Sequence, residues 1–497
     1  MNEEKKSQNS QKPQNSQKPQ NSQKSQSSQK IQSSQKIQSS QKSQSSQKSQ
    51  SSQKSQNSQK SQNSQKSQNS QKSKKSKKAK RKQQRLNLIL LTALVIVSAG
   101  LVTSLCVMQA QKEKMAEDSE ITPTQELETT PTESETQETT EAPDPNALLV
   151  EQTLETMTLE QKIYQLFIVT PEVLVDNAVD YAVQSGSMTQ QALLEKPVGG
   201  IIYFSENMES ESQITQMISN AQQYMQDANQ ISMWIGVDEE GGTVARVADN
   251  LGTTQYSDMA FYGANSDTQE VFEVGQTIAK DISKFGFNLD FAPVADVAIN
   301  PQNELQDRIF SDDATVVSEM VASITQGLQS SGKVSATLKH FPGLGAEDGN
   351  THNDTSTYIE RTYEELKETE FLPFQAGIEA GADFVMVGHQ IMSCAGDEMP
   401  SDLSSVVVTD WLRGDLGFDG VVITDAQNMN TISENYSAGE AAVLSISAGV
   451  DIVLMPVDLN DAFESVYQAV QNGEISEERI DESIRRILTA KAKHNLL

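Results

Sequence analysis

The chain has 497 residues, with 39 Lys and Arg against 68 Asp and Glu, and a formal net charge of −29. The charge is split: residues 1–85 hold 21 Lys and Arg against two Glu, about +19, and the remainder holds 18 basic and 66 acidic side chains, about −48. So acidic a body excludes nucleic acid as its partner, because phosphates are repelled, and two cysteines in unlike surroundings, Cys106 and Cys394, exclude a disulfide framework.

From Ser7 to Lys72 a six-residue unit close to SQKSQN repeats, with lysine at every sixth position. Almost no apolar side chain is present, so burial cannot offset the entropy of ordering, and residues 1–85 read as a disordered basic tail. Its last run, KSKKSKKAKRKQQR, suits anionic lipid head groups or RNA. A solvated tail without a specific partner is the competing reading.

Residues 86–108, LNLILLTALVIVSAGLVTSLCVM, carry no charge. At about 1.5 Å per residue such a run crosses a hydrocarbon core of about 30 Å. It is too long for the core of a cleavable leader, and Met108-Gln109-Ala110 is a poor cut site. Leu105 stands where a lipoprotein cysteine at Cys106 would need a small residue. A transmembrane helix is therefore expected. Basic residues precede it and acidic ones follow, so the positive-inside rule predicts a single-pass protein of the cell membrane, its N-terminus cytoplasmic and the rest extracellular. Residues 109–147, rich in Thr, Glu and Pro, read as an extended acidic linker.

Residues 148–497 alternate apolar strand-like runs with amphipathic stretches. The strand candidates are 166–169, 199–204, 233–238, 287–297, 336–341, 383–389, 420–426 and 450–456. Segments such as SQITQMISNAQQYMQDAN and EVFEVGQTIAKDISKFG between them have helical spacing. Eight strands separated by helices predict an α/β fold, a (β/α)8 TIM-like barrel, with a doubly wound open sheet as the alternative.

On a barrel, chemistry belongs at the C-terminal ends of strands. There the third strand gives Asp238-Glu239-Glu240-Gly241-Gly242 with Arg246 close behind. The fourth ends near Asp296, ahead of Arg308. The fifth ends in Lys339 and His340, then breaks on Pro-Gly-x-Gly into a loop carrying Asp348, Asn350, His352 and Asp354. His389 ends the sixth and Asp425 the seventh. Carboxylates, arginines and a lysine converging on one rim suit a polyhydroxylated substrate. Glycosidic cleavage needs a carboxylate below the anomeric carbon and a proton donor for the leaving oxygen, and Asp425 is placed for the first task. No H-x-x-x-H or comparable spacing appears, so neither a metal nor another cofactor is expected.

These motifs resemble the single-domain β-N-acetylglucosaminidases (β-hexosaminidases) of glycoside hydrolase family 3. The match covers most of 150–490: GGIIYFSENM, IGVDEEGGTVARV, FAPVADV, DRIF, KHFPGLG, VMVGH and FDGVVITDAQNM, in the family's order, with a loop histidine thirteen residues after the lysine of KHFPG. The resemblance implies a nucleophile at Asp425 and an acid/base at His352, with substrate binding by Asp238, Arg246, Arg308, Lys339 and His340. It implies a retaining exo-enzyme acting on N-acetylglucosamine-containing glycans such as peptidoglycan fragments. An N-acetylglucosaminide phosphorylase and a non-catalytic wall-glycan-binding homologue are the alternatives. Three positions depart from the family's pattern: Asn350 stands for an aspartate that partners the histidine, Leu344 for a second histidine and Thr243 for an arginine. A neutral amide at 350 orients an imidazole without stabilising its charged form.

Overall fold

The computed structural model describes residues 144–347 and 354–497. Eight parallel strands form one sheet: Phe167–Val169 (β1), Gly200–Ile202 (β2), Trp234–Val237 (β3), Leu289–Asp290 (β4), Ser335–Phe341 (β5), Phe384–Val387 (β6), Val421–Thr424 (β7) and Val453–Leu454 (β8). The ladder runs β7-β6-β5-β4-β3-β2-β1-β8, sequence order closed on itself. The last seam is thin. An Ile423–Ile452 bridge joins β7 to β8, helped by Thr424 N–H donating to Ile452 O at 3.0 Å. The result is a nearly closed barrel, as the eight predicted runs required.

Every residue of these strands is buried. Parallel strands covered on both faces need apolar side chains both inward and outward, which is why they read as continuous runs of Val, Ile and Phe. The covering layer is Ser187–Glu195 (α1), Glu211–Asp227 (α2), Thr268–Ser283 (α3), Ala314–Gln329 (α4), Phe371–Glu379 (α5), Val406–Asp415 (α6), Ala438–Ala448 (α7), Leu459–Gln471 (α8) and Glu477–Lys493 (α9). Ser210, Asp267, Asp313, Ser437, Asp458 and Ser476 cap six of them, each side chain accepting from a backbone N–H of the first turn. Close helix–strand contact has its own signature. A Cβ on Gly377 of α5 would lie 2.6 Å from Leu338 of β5.

Two strands are much shorter than predicted, and of 450–456 only Val453–Leu454 is a strand. Of 287–297 only Leu289–Asp290 is paired as a strand, and Val294 rejoins as a lone bridge to Lys339. Pro293 lies between and has no N–H for the ladder. Nor does the sequence show that α6 is a π-helix, or that Glu239–Gly241 and Val244–Ala245 pair as a small antiparallel hairpin. The basic tail, the apolar run 86–108 and the acidic linker up to residue 143 lie outside the described residues, as do Asp348, Asn350 and His352. Among the described residues no helix is long and apolar enough to cross a membrane.

Candidate active site

The chain leaves β3 at Asp238 and folds straight into the hairpin. Gly241 and Gly242 take positive φ there (86° and 61°), and a Cβ on Gly242 would meet the Asp258 backbone at 2.5 Å. Glu239 turns away from the barrel mouth and accepts from the N–H groups of Val247 (2.6 Å) and Ala248 (3.0 Å), which start the short helix Arg246–Leu251. Arg246 is thereby aimed back at Asp238, its Nε donating to Oδ2 at 3.2 Å. Burial pushes the Glu239 carboxyl up to about 7 despite those two donors.

Lys339, at the end of β5, is almost fully buried and lies between two carboxylates. Its Nζ donates to Asp238 Oδ1 at 2.9 Å and contacts Glu240 Oε1 at 2.6 Å. Glu240 also takes a two-pronged contact from Arg308, Nε to Oε2 at 2.8 Å and Nη2 to Oε1 at 2.7 Å. Burial alone would raise Glu240, but Lys339 and Arg308 outweigh it and hold the carboxyl down at about 2. Lys339 is held above its ordinary value against its own burial, by Glu240 first and Asp238 second. Three basic side chains, Lys339, Arg308 and Arg246, thus face two carboxylates, Asp238 and Glu240. That is a fixed array of donors for hydroxyls.

The Lys339–His340 peptide is cis. Asp296 holds the turn: it accepts from His340 N–H (3.1 Å) and Leu344 N–H (2.6 Å) and contacts His340 Nδ1 at 2.9 Å. A carboxylate on Nδ1 fixes the ring plane. Leu344, where the resemblance led one to expect a histidine, is buried with Val294, Leu305 and Ile309 in a small apolar cluster and gives the cavity an apolar wall in place of an imidazole.

Asp425 follows β7. Its N–H donates to Val387 O at 2.8 Å, and its Oδ1 accepts from Ala426 N–H at 2.7 Å. His389, expected on the rim, lies instead wholly buried behind it, with Nδ1 3.0 Å from Asp402 Oδ1 and Nε2 3.0 Å from the Ala426 carbonyl. Both ring nitrogens face acceptors, so both carry protons. Burial works against that charge, yet Asp402 and then Asp425 overcome it and push His389 up to about 9. Burial would likewise raise Asp425. His340, His389, the Ala426 N–H and Lys339 together hold its carboxyl below the ordinary value.

These pieces meet in one cavity of about 240 Å³. Asp238, Arg246, Arg308, Lys339, His340 and Asp425 all line it, with Phe204, Phe291 and Met429 as apolar walls. All the predicted site residues that fall among the described ones are thus brought together. His352 and Asn350 lie outside them. The described chain stops beside the cavity at Glu347, a buried carboxyl pushed up to about 8 by burial first and by Glu304 second. It resumes at Asp354, whose carbonyl accepts from Thr431 Oγ1 at 3.1 Å. Sequence reasoning placed Glu240, Asp296 and Asp402 at no task. The signal for Glu240 was available, since three cations on one rim call for counter-charge and DEEGG supplies it.

A family model, the glycosyl hydrolase family 3 N terminal domain, matches residues 158–490. The β-hexosaminidase A of Pseudoalteromonas piscicida is 30% identical over 324 residues, 60% of this chain and 53% of that protein. The β-hexosaminidase of Stenotrophomonas maltophilia (strain K279a) is 35% identical over 285 residues, 54% of this chain and 80% of that one. Among solved structures, a glycoside hydrolase family 3 β-N-acetylglucosaminidase from Paenibacillus sp. str. FPU-7 superposes with a TM-score of 0.64 at 33% identity, covering 68% of this chain and 63% of that one. The match spans about half the length of the Pseudoalteromonas relative and under two thirds of the Paenibacillus structure.

Proposed function

The chain belongs to glycosyl hydrolase family 3, and on that premise we propose that it is a membrane-anchored, extracellular exo-β-N-acetylglucosaminidase. It removes terminal β-linked N-acetylglucosamine from glycans such as peptidoglycan fragments by a retaining mechanism. The observation that carries this reading is Asp425: a carboxylate inside a sugar-sized cavity, kept ionised by the cations around it. An ionised carboxylate attacks an anomeric carbon, and a rigid strand end keeps it within reach.

In the first step Asp425 forms an ester to the sugar while His352 gives its proton to the leaving oxygen. In the second, His352 takes a proton from water, which displaces Asp425 and releases the sugar with its original anomeric configuration. Asp238, Arg246, Arg308, Lys339 and His340 bind the sugar hydroxyls. Asn350 orients His352 without charging it. The tail contacts anionic lipid on the cytoplasmic side, and residues 86–108 cross the membrane.

A 2-deoxy-2-fluoro glycoside with a good leaving group tests the core of this, because it slows release of the ester more than its formation. The label is expected on the peptide containing Asp425, and not in Asp425→Asn. Label on another carboxylate, or turnover that survives in Asp425→Asn, would remove Asp425 from the role. Product analysis in phosphate buffer checks water as the acceptor; a glycosyl phosphate would make the protein a phosphorylase.

A further inference from the structure

A second cavity, of about 360 Å³, opens on the same face of the barrel beside the first. Thr170 after β1, Asn428 after β7 and Pro456 after β8 line it, and Phe204 and Met455 line both cavities. Its inner wall is built. Glu172 Oε1 accepts from Ala182 N–H (2.8 Å) and from the buried Asn207 Nδ2 (2.9 Å), and the same Nδ2 donates to Ala182 O at 2.9 Å. Its lip carries Tyr181, 67% exposed, an aromatic ring at the mouth of a cavity rather than in the core.

We propose that this cavity is a second sugar subsite, which holds the residue attached to the departing N-acetylglucosamine and takes an uncharged or amine-bearing sugar in preference to one with a carboxylate. The inference rests on the glycosidase reading above and narrows its substrate. Two pyranose rings joined by one oxygen occupy neighbouring cavities, and side chains shared by both are what such a junction requires. The Tyr181 face offers the apolar surface on which the C–H side of a sugar ring lies, and Asn177 and Asn428 offer amides for its hydroxyls.

The preference comes from charge. Glu172, Asp180 and Glu206 line the cavity, and among the described residues no Lys, Arg or His does. The cation at the junction, Arg246, lies 4.8 Å from the Phe204 ring but is paired with Asp238 in the first cavity. A lactyl carboxylate on the second sugar meets three like charges without a counter-charge. Asp180 and Glu206 are exposed, so solvent screens the effect to about five-fold rather than orders of magnitude. Among N-acetylglucosamine-terminated glycans, disaccharides of the chitin type are then the better class. Peptidoglycan fragments with N-acetylmuramic acid second are the poorer one.

The test uses the full chain in detergent micelles. With Asp425→Asn as the parent, which keeps bound sugar intact, N,N′-diacetylchitobiose should bind about ten-fold more tightly than N-acetylglucosamine by calorimetry. Adding Tyr181→Ala should remove most of that difference. Equal affinities in the parent, or a Tyr181→Ala loss that falls alike on both sugars, would overturn the subsite. With active protein, kcat/KM should favour diacetylchitobiose over the N-acetylglucosaminyl-N-acetylmuramic acid disaccharide, and Asp180→Asn with Glu206→Gln should narrow that gap about five-fold. A wild type that prefers the muramyl disaccharide would overturn the charge preference. If a nitrophenyl N-acetylglucosaminide is not cleaved at all, the glycosidase reading fails, while the binding comparison still decides the subsite.

Discussion

His389 sits behind Asp425 rather than beside it, and its charge is one of those that hold the Asp425 carboxyl below its ordinary value. With its pKa raised from 6.5 to about 9, the imidazolium adds stability that is full below pH 6.5 and is lost as pH rises through 9. Over that range the contribution is on the order of 3 kcal/mol. Chemical denaturation at pH 6.5 and 9.5 should show a larger fall for the native chain than for His389→Gln. The same variant takes one cation from Asp425, so the acid limb of its kcat/KM profile should move to higher pH; a limb that stays put would leave His389 a purely structural role. His352 asks for a different readout. If it donates the proton, His352→Ala should cost an alkyl glycoside at least about a hundred-fold more than a nitrophenyl glycoside, whose leaving group needs little protonation. Equal losses would make His352 a binding residue. Lys339 was legible because it ends a strand ahead of a Pro-Gly turn, and Arg246 because it follows DEEGG at the end of another. Their carboxylate partners were not, since Arg308 meets Glu240 across 68 residues and only the closed barrel brings them together.

The eight strands could be read from the sequence because burial on both faces demands uninterrupted apolar runs. What could not be read was how the barrel closes. Strand β8 pairs over two residues with β1 and touches β7 through one bridge. Asp451, just before it and fully buried, carries that seam. Its Oδ2 accepts from Arg413 Nη2 of α6 (2.5 Å) and Val422 N–H of β7 (2.9 Å), and its Oδ1 from Ser483 Oγ (2.7 Å) and Arg486 Nη1 (3.2 Å) of α9. One carboxylate thus ties two helices and a strand to the closing strand. The aspartate within VDIVLMP gives no hint of partners on α6, α9 and β7 so far away in the chain. Asp451→Ala leaves Arg413 buried without its counter-charge, and should cost about 3–5 kcal/mol in urea denaturation. A loss under about 1 kcal/mol would mean that packing alone holds the seam.

At the scale of the whole chain, the two signs of charge are separated by 23 uncharged residues, 86–108, rather than mixed. A cytoplasmic leaflet attracts a basic segment at about 1 kcal/mol per Lys or Arg close to the surface and repels an acidic one. In the proposed topology, twenty-one basic residues on one side and an acidic body on the other are the charge difference that would set the orientation of the span. This orientation predicts the result of a protease added to intact cells. The barrel should be lost, and a fragment containing residues 1–85, detected by an N-terminal tag, should survive until the membrane is opened. If the apolar run is the anchor proposed above, raising salt should leave the protein in the membrane fraction. Release by salt alone would mean that the basic tail is the sole attachment, and survival of the barrel on intact cells would reverse the proposed topology.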